Sequence, residues 1–202
     1  MEHQCTGVIL AGGLNTRFSG TKKAFEKIGG KTVLSYTYDL FRELFDEIIL
    51  ITNDPIDYLA FDVKIAADIY PARSSLTGIH TGLAIASNKY AFISACDTPF
   101  IKKELVELVL DGIDEKNDIV LPETEKGIEP LCAVYSKHCL TSMAQSLENE
   151  KLKIKFAIRN FRIKYIPENL LRKKDPELVS FFNINTPEDI EKAENMIKKG
   201  QT

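Results

Sequence analysis

The sequence predicts an α/β fold, a largely parallel sheet covered by helices, and three observations carry that prediction. Short apolar runs alternate with longer amphipathic stretches along the whole chain, the pattern of strand and helix in turn. The runs at residues 7–11, 47–52 and 90–95 are rich in Ile, Val, Leu and Ala, as strands buried on both faces are. The stretches at 32–45 and 103–113 gather their apolar residues mostly on one helical stripe.

Taken in order, strands are expected at 7–11, 47–52, 63–66, 90–95, 118–121, 131–135 and 181–184. The helix at 32–45 carries Val33, Leu34, Leu40, Phe41, Leu44 and Phe45 toward the sheet, and the helix at 103–113 carries Leu105, Val106, Val109 and Ile113. The last helix has the clearest start: Thr186 as N-cap, Pro187 in the first helical position, then Glu188 and Asp189. It should run from 187 to about 199. No repeat, low-complexity tract or Pro/Gly/Ser-rich linker divides the chain, and its 202 residues are expected to form a single domain, 1–202. The one compositional shift is the basic segment 151–174, which reads as a solvated face.

Composition excludes several function classes. With 26 basic and 29 acidic side chains the chain has a net charge of -3, which gives no global field for a polyanion, so a nucleic-acid partner or a polybasic membrane contact is not expected. Cys5, Cys96, Cys132 and Cys139 form no CxxC pair, and His3, His80 and His138 have no metal-ligand spacing, so a zinc site is not expected. No apolar run approaches the roughly 18 residues that would span a bilayer, and the first residues lack a signal-peptide pattern. A reduced, soluble, cytoplasmic protein is expected. His80 and His138 read as packing or surface residues and Cys96 as a small buried filler.

The most informative passage comes directly after the first strand: Leu10, Ala11, Gly12, Gly13, Leu14, Asn15, Thr16, Arg17, Phe18, Ser19, Gly20, Thr21, Lys22, Lys23. Paired glycines at the carboxyl end of a parallel strand let backbone amides approach an anion with no Cβ in the way. The run is neither a Walker loop nor a GxGxxG fingerprint. Arg17 and Lys23 supply a planar fork and a mobile ammonium that suit a triphosphate, although a tight turn with surface cations has the same composition. Asp97 ends the fourth strand at Cys96-Asp97-Thr98-Pro99, pointing into the crevice where open parallel sheets bind ligands. A hard cation such as magnesium takes one or two carboxylates plus substrate phosphates, which makes Asp97 a candidate ligand; capping of the next helix is its structural alternative.

These residues carry a resemblance. LAGGLNTRFSGTKK resembles the LAGGxSxRxGxxK signature of small nucleotidyltransferases, closest to the molybdenum cofactor guanylyltransferase family, and CDTPF resembles that family's C-D-x-P-[FY] metal-binding motif. Ser75-Leu76-Thr77-Gly78 stands where the family has G-P-L-x-G, and 183–189 is similar to its N-x-N-T-P-[ED] segment, whose Asn183 and Asn185 would lie near metal and phosphates or serve only the turn. Glu129-Pro130-Leu131 resembles the strand that brings a proline near the acceptor pocket. Ser19 and Lys22 depart from the pattern, standing where a glycine and an acid are usual.

The resemblance implies a three-layer αβα nucleotidyltransferase fold, with a Rossmann-like, mostly parallel sheet that includes an antiparallel strand. It further implies transfer of GMP from GTP to the phosphate of molybdenum-molybdopterin, with Mg2+ as cofactor, releasing pyrophosphate and forming the molybdopterin guanine dinucleotide cofactor. Nucleotide contacts would fall to Leu10, Ala11, Gly12, Gly13, Lys23, Asn53, Asp68 and Asp97, catalysis to Arg17, Lys23 and Asp97, and the metal to Asp97. GTP and molybdenum-molybdopterin would be the partners, together with cofactor-delivery proteins or molybdoenzymes; residues 151–164 are a candidate surface for the pterin phosphate or a delivery partner. Two alternatives stay open: a related enzyme acting on another phosphate acceptor, such as a sugar phosphate, and a nucleotide-binding regulator without turnover.

Overall fold

The computed structural model describes residues 4–12, 17–18 and 21–200, with Arg17, Phe18 and Thr21 described in their backbone alone. Gly13 and the side chain of Arg17 therefore lie outside the described residues. The chain runs through β1 (Cys5–Leu10), two short hairpins made of β2 (Arg17–Phe18) with β3 (Thr21–Lys22) and β4 (Lys27–Ile28) with β5 (Lys31–Thr32), then α1 (Val33–Leu44), β6 (Ile48–Ile51) and β7 (Lys64–Ala66). Next come α2 (Ser75–Ile85), β8 (Tyr90–Ala95), α3 (Lys103–Leu110), β9 (Ile119–Thr124), β10 (Gly127–Ile128) and β11 (Cys132–Ser136). The last part holds α4 (Leu140–Glu148), α5 (Ile154–Ala157), β12 (Ile163–Pro167), α6 (Glu168–Leu171) and α7 (Pro187–Lys198).

The main sheet has the order β10-β9-β11-β8-β1-β6-β7, and β12 also pairs with β9. β1 lies parallel to both β6 and β8, and β6 to β7. The expected antiparallel strand is β11, which opposes β8 and β9, and the β9–β10 hairpin adds a short second one. Strand order reverses at β1: successive strands leave it first toward β6 and β7, then toward β8. Such a reversal opens a crevice at the carboxyl ends of the central strands.

Alternate side chains of β1 enter opposite cores. Ile9 packs in one cluster with Leu34 and Phe41 of α1 and Leu105, Val106 and Val109 of α3. Val8 packs in the other with Leu76, Ile79 and Leu83 of α2 and Met143 and Leu147 of α4. Helices thus cover both faces, giving the three-layer αβα architecture. Gly82 matters to this packing, because a Cβ there would lie 2.5 Å from Val8 Cγ1. The helix sits on β1 at a distance that excludes a side chain.

One predicted strand is corrected. Residues 181–184 form no ladder; a 3₁₀ turn at Val179–Phe181 leads into irregular chain. Phe182 and Ile184 pack instead into a third cluster with Ala193 of α7, while Asn183 and Asn185 alternate outward. The Ile184 N–H donates to the Asp97 carbonyl (2.9 Å), which ties the segment to the turn after β8. Within the basic segment, β12 was not foreseen. Arg162 there binds Asp118 through Nε and Nη2 (3.0 and 2.7 Å), and Arg172 binds Glu168 (2.7 Å).

Glu47 ties together the opposite, amino-terminal edge of the sheet. Its carboxylate accepts from Thr6 of β1 (2.6 Å), Lys64 of β7 (2.6 Å), and both the backbone and hydroxyl of Ser87 (2.8 Å each). Burial works against its charge, but these donors outweigh it and hold the carboxyl at about 2, down from 4.5. A depressed carboxyl contributes stability that is complete above its unfolded value and is lost as pH falls through the folded one. Glu47→Gln should therefore lower the urea midpoint at neutral pH, with the gap to the parent narrowing as pH drops from about 5 toward about 2. A gap that stays constant over that range would exclude the carboxylate as its source.

Candidate active site

β1 and β8 run in register from Cys5–Tyr90 to Leu10–Ala95, so the turns beyond them leave the sheet side by side. The Cys96 N–H donates to the Leu10 carbonyl (3.0 Å), extending the contact past the strand ends. A cavity of about 430 Å3 opens there, lined among others by Gly12, Lys23, Asp68, Arg73, Asp97 and Asn185. Its size falls within the roughly 300–1,000 Å3 typical of small-molecule sites.

Lys23 and Asp97 meet in the lining of this cavity. Lys23 Nζ donates to Asn185 Oδ1 (2.7 Å) and stands 3.6 Å from Asp97 Oδ2. Burial pushes the Asp97 carboxyl above its ordinary range, with the Lys23 ammonium pulling it back down. Lys23 begins a 3₁₀ turn directly after the β2–β3 hairpin, and Lys22 anchors that hairpin. Lys22 Nζ meets Asp54 Oδ2 (2.5 Å) and Asp57 Oδ2 (2.6 Å) in the segment after β6. Burial opposes the Lys22 charge, but the two acids outweigh it and raise its pKa. Adjacent lysines thus point to opposite partners, one outward to two acids and one into the cavity.

The β6 side of the crevice carries a second pair. Asn53 Nδ2 donates to Asp68 Oδ2 (2.9 Å), and the Asp68 N–H donates to Asn53 Oδ1 (3.2 Å). Asp68 Oδ1 is buried with no hydrogen-bond partner among the described residues. Burial raises the Asp68 carboxyl, while Asn53 and the nearby Arg73 charge lower it. Gly12 faces this pair: a Cβ built on it would lie 3.7 Å from Asp68 Oδ2 and 3.8 Å from Asn53 Nδ2. The Ala11 N–H is already donated to the Ile51 carbonyl (2.8 Å), so Leu10 and Gly12, not Ala11, line the cavity. On the far wall, α2 begins with Ser74 as N-cap, its side chain accepting from the Thr77 N–H (3.2 Å). Ser74, Ser75 and Gly78 line the cavity at this helix N-terminus, where amides and the helix dipole favour an anion.

The family described as MobA-like NTP transferase domain matches residues 7–162. A protein named molybdenum cofactor guanylyltransferase from Desulfosudis oleivorans is 45% identical, over 97% of this chain and 97% of its own. This chain belongs to the molybdenum cofactor guanylyltransferase family. A relative from Natranaerobius thermophilus, named probable molybdenum cofactor guanylyltransferase, is 39% identical over 98% of this chain and 99% of its own. Among solved structures, molybdopterin-guanine dinucleotide biosynthesis protein A from Archaeoglobus fulgidus superposes with a TM-score of 0.84 at 27% identity, covering 96% of this chain and 99% of that one. The guanylyltransferase family makes this chain a nucleotidyltransferase, and among the described residues no helix is long and apolar enough to cross a membrane.

Of the positions read from the sequence, the structure brings Leu10, Gly12, Lys23, Asp68 and Asp97 to one cavity, with Asn53 behind Asp68. Asn183 and Asn185, whose role the sequence left divided, both line it. No residue of 151–174 does. Arg73 was missed. Its only signal is a lone cation immediately before the serines that start α2. His80 is buried edge-on against Tyr70 (5.1 Å), and Cys96 is a buried thiol pushed up to about 12 by burial and the Asp97 charge.

Because the Asp97 charge is already disfavoured by burial, Asp97→Asn removes a desolvation cost together with the Lys23 attraction. The two effects oppose, so the variant should melt within a few degrees of the parent. A cooperative loss of fold in calorimetry would instead make Asp97 a structural residue.

Proposed function

We propose that this enzyme transfers GMP from GTP to the phosphate of molybdenum-molybdopterin, releasing pyrophosphate and forming the molybdopterin guanine dinucleotide cofactor in a Mg2+-dependent reaction. The observation that carries the reading is the Lys23 ammonium lying between Asn185 and Asp97, across the strand-end crevice from Gly12. The names of the full-length relatives supply the guanylyl donor and the pterin acceptor.

The donor set suits magnesium. Asp97 offers a hard carboxylate oxygen to the cavity, and Asn183, whose Nδ2 donates to the Phe181 carbonyl (3.1 Å), has its amide oxygen left for a ligand. Magnesium keeps several waters and takes one or two carboxylates plus substrate phosphates, so a single carboxylate beside an amide oxygen is a donor set it would accept. Held by Asp97 and Asn183, such an ion would supply positive charge to neutralise the phosphates of the reactants. Every other task falls to the chain. A phosphate acceptor is already an anion, so no general base is required. Lys23, with Arg17 by its sequence position, would hold the β- and γ-phosphates and stabilise departing pyrophosphate. Gly12 and the α2 N-terminus would supply amides to the nucleotide, and Asn185 would steer the lysine.

Pyrophosphate release should require GTP, Mg2+ and molybdenum-molybdopterin together; a regulator without turnover would bind GTP and release none. Asp97→Asn and Lys23→Met should each lower the rate about 100- to 1,000-fold. Thermal stabilisation by GTP should exceed that by CTP or UTP, and equal stabilisation by all three would remove the guanylyl assignment.

Gly12→Ala separates fold from ligand. A Cβ there meets its nearest neighbours at ordinary contact distances of 3.7 Å, so the variant should melt like the parent. The added methyl occupies the space in which a nucleotide would approach the backbone, so the GTP-induced shift should be lost. An undiminished shift in Gly12→Ala would move the nucleotide elsewhere.

A further inference from the structure

A second cavity, of about 530 Å3, adjoins the first, and Asn183 lines both. The short segment before β11 bridges them, with Leu131 on the first cavity and Glu129 on the second. The second cavity has an acidic lining, which would repel a phosphate. Most of its carboxylates are in use. Glu168 accepts from Arg172 (2.7 Å) and from the Glu125 N–H (2.7 Å), and Asp189 caps α7 and meets Lys192 (3.0 Å).

Glu129 differs from these. It is half-buried, and its carboxylate makes no hydrogen bond or ion pair with any described residue. Burial pushes its carboxyl up, with only the Lys126 charge opposing. Phe181 and Phe182 line the same cavity with partly buried rings. A partly desolvated carboxylate beside aromatic surface suits a flat, uncharged heterocycle that offers two adjacent N–H donors, which a carboxylate takes in parallel.

The acceptor assigned under the proposed function contains such a group: the amino-pyrimidinone edge of a pterin presents a ring N–H beside an exocyclic amine. We propose that Glu129 binds this edge and that the second cavity holds the pterin ring, leaving the phosphate arm to pass Asn183 toward Lys23 and Asp97. Glu129 is then a specificity-determining residue for the acceptor. The inference rests on the guanylyltransferase reading. Guanine carries the same donor edge, so the test has an arm for each source.

The probe is 6-hydroxymethylpterin, titrated against the whole protein and followed by its own fluorescence; the chain contains no Trp to interfere. The parent should quench the pterin saturably. Glu129→Gln keeps the shape and should keep the melting temperature, yet it should weaken pterin binding about ten- to a hundredfold. Glu191→Gln, at an exposed position of α7 outside both cavities, should bind as the parent does. The GTP-induced thermal shift should be unchanged in both variants. Unaltered pterin affinity in Glu129→Gln, or no pterin binding by the parent, overturns the assignment. So does a Glu129→Gln variant that loses its GTP shift, since the carboxylate would then be reading guanine. Pyrophosphate release by the parent is measured alongside: failure there with intact pterin binding strikes the reaction, and turnover with unaltered Glu129→Gln affinity strikes only the site.

Discussion

The parallel pairing of β1 with β8 is the constraint on which the rest of the molecule depends. Six consecutive residue pairs fix the two strands without slip, and a slip of one would turn Val8 and Ile9 into each other's cores. Because register is set by burial on both faces, the strand ends are set too. Leu10 and Ala95 finish level, and the turns they lead into carry Gly12 on one side and Asp97 on the other to the crevice at the same height. The site inherits its geometry from apolar packing well below it.

Legibility of the sequence tracked how local the cause of each element is. β8 is read residue for residue, since Tyr90–Ala95 is a mostly apolar run, interrupted only by Ser94, and buried on both faces. α7 is equally plain, because Thr186 and Asp189 close a capping box within four residues. α2 gives no amphipathic signal: Leu76, Thr77, Ile79, His80, Thr81 and Leu83 are all buried, and helix is dictated there by the layer it fills. Residues 181–184 alternate like a strand but obey the third core and Asp97, which are distant in sequence. Within the site, Lys23 and Asp97 were legible as motif residues. The convergence of Asn183 and Asn185 on them depends on how the carboxyl-terminal segment docks, and Arg73 has no pattern of its own.

Lys22 and Lys23 illustrate how one dipeptide can serve structure and chemistry at once. Asp54 and Asp57 hold Lys22 against the β6 side, and Lys23, next in the chain, is left to the cavity. An acid at position 22, as the family pattern usually has, would meet two carboxylates here. The substitution is thus compatible with this chain because the segment after β6 supplies the opposite charges.

On the proposed function, the charges in the crevice would serve a reaction between anions. Lys23 and Asp97 lie 3.6 Å apart, and the Lys23 ammonium offsets part of the cost of burying the Asp97 carboxylate. A triphosphate would give the ammonium a stronger partner, and the carboxylate it left would then need a cation of its own, which is the role proposed for magnesium. Either group alone would leave an uncompensated charge in a half-closed cavity, so cation, carboxylate and phosphates are favoured as a set. The acidic second cavity completes the separation. On the proposed reaction, phosphates would be drawn to the lysine, Arg73 and the α2 N-terminus and repelled from the acidic pocket beyond Asn183, which would leave that pocket to the uncharged end of an acceptor.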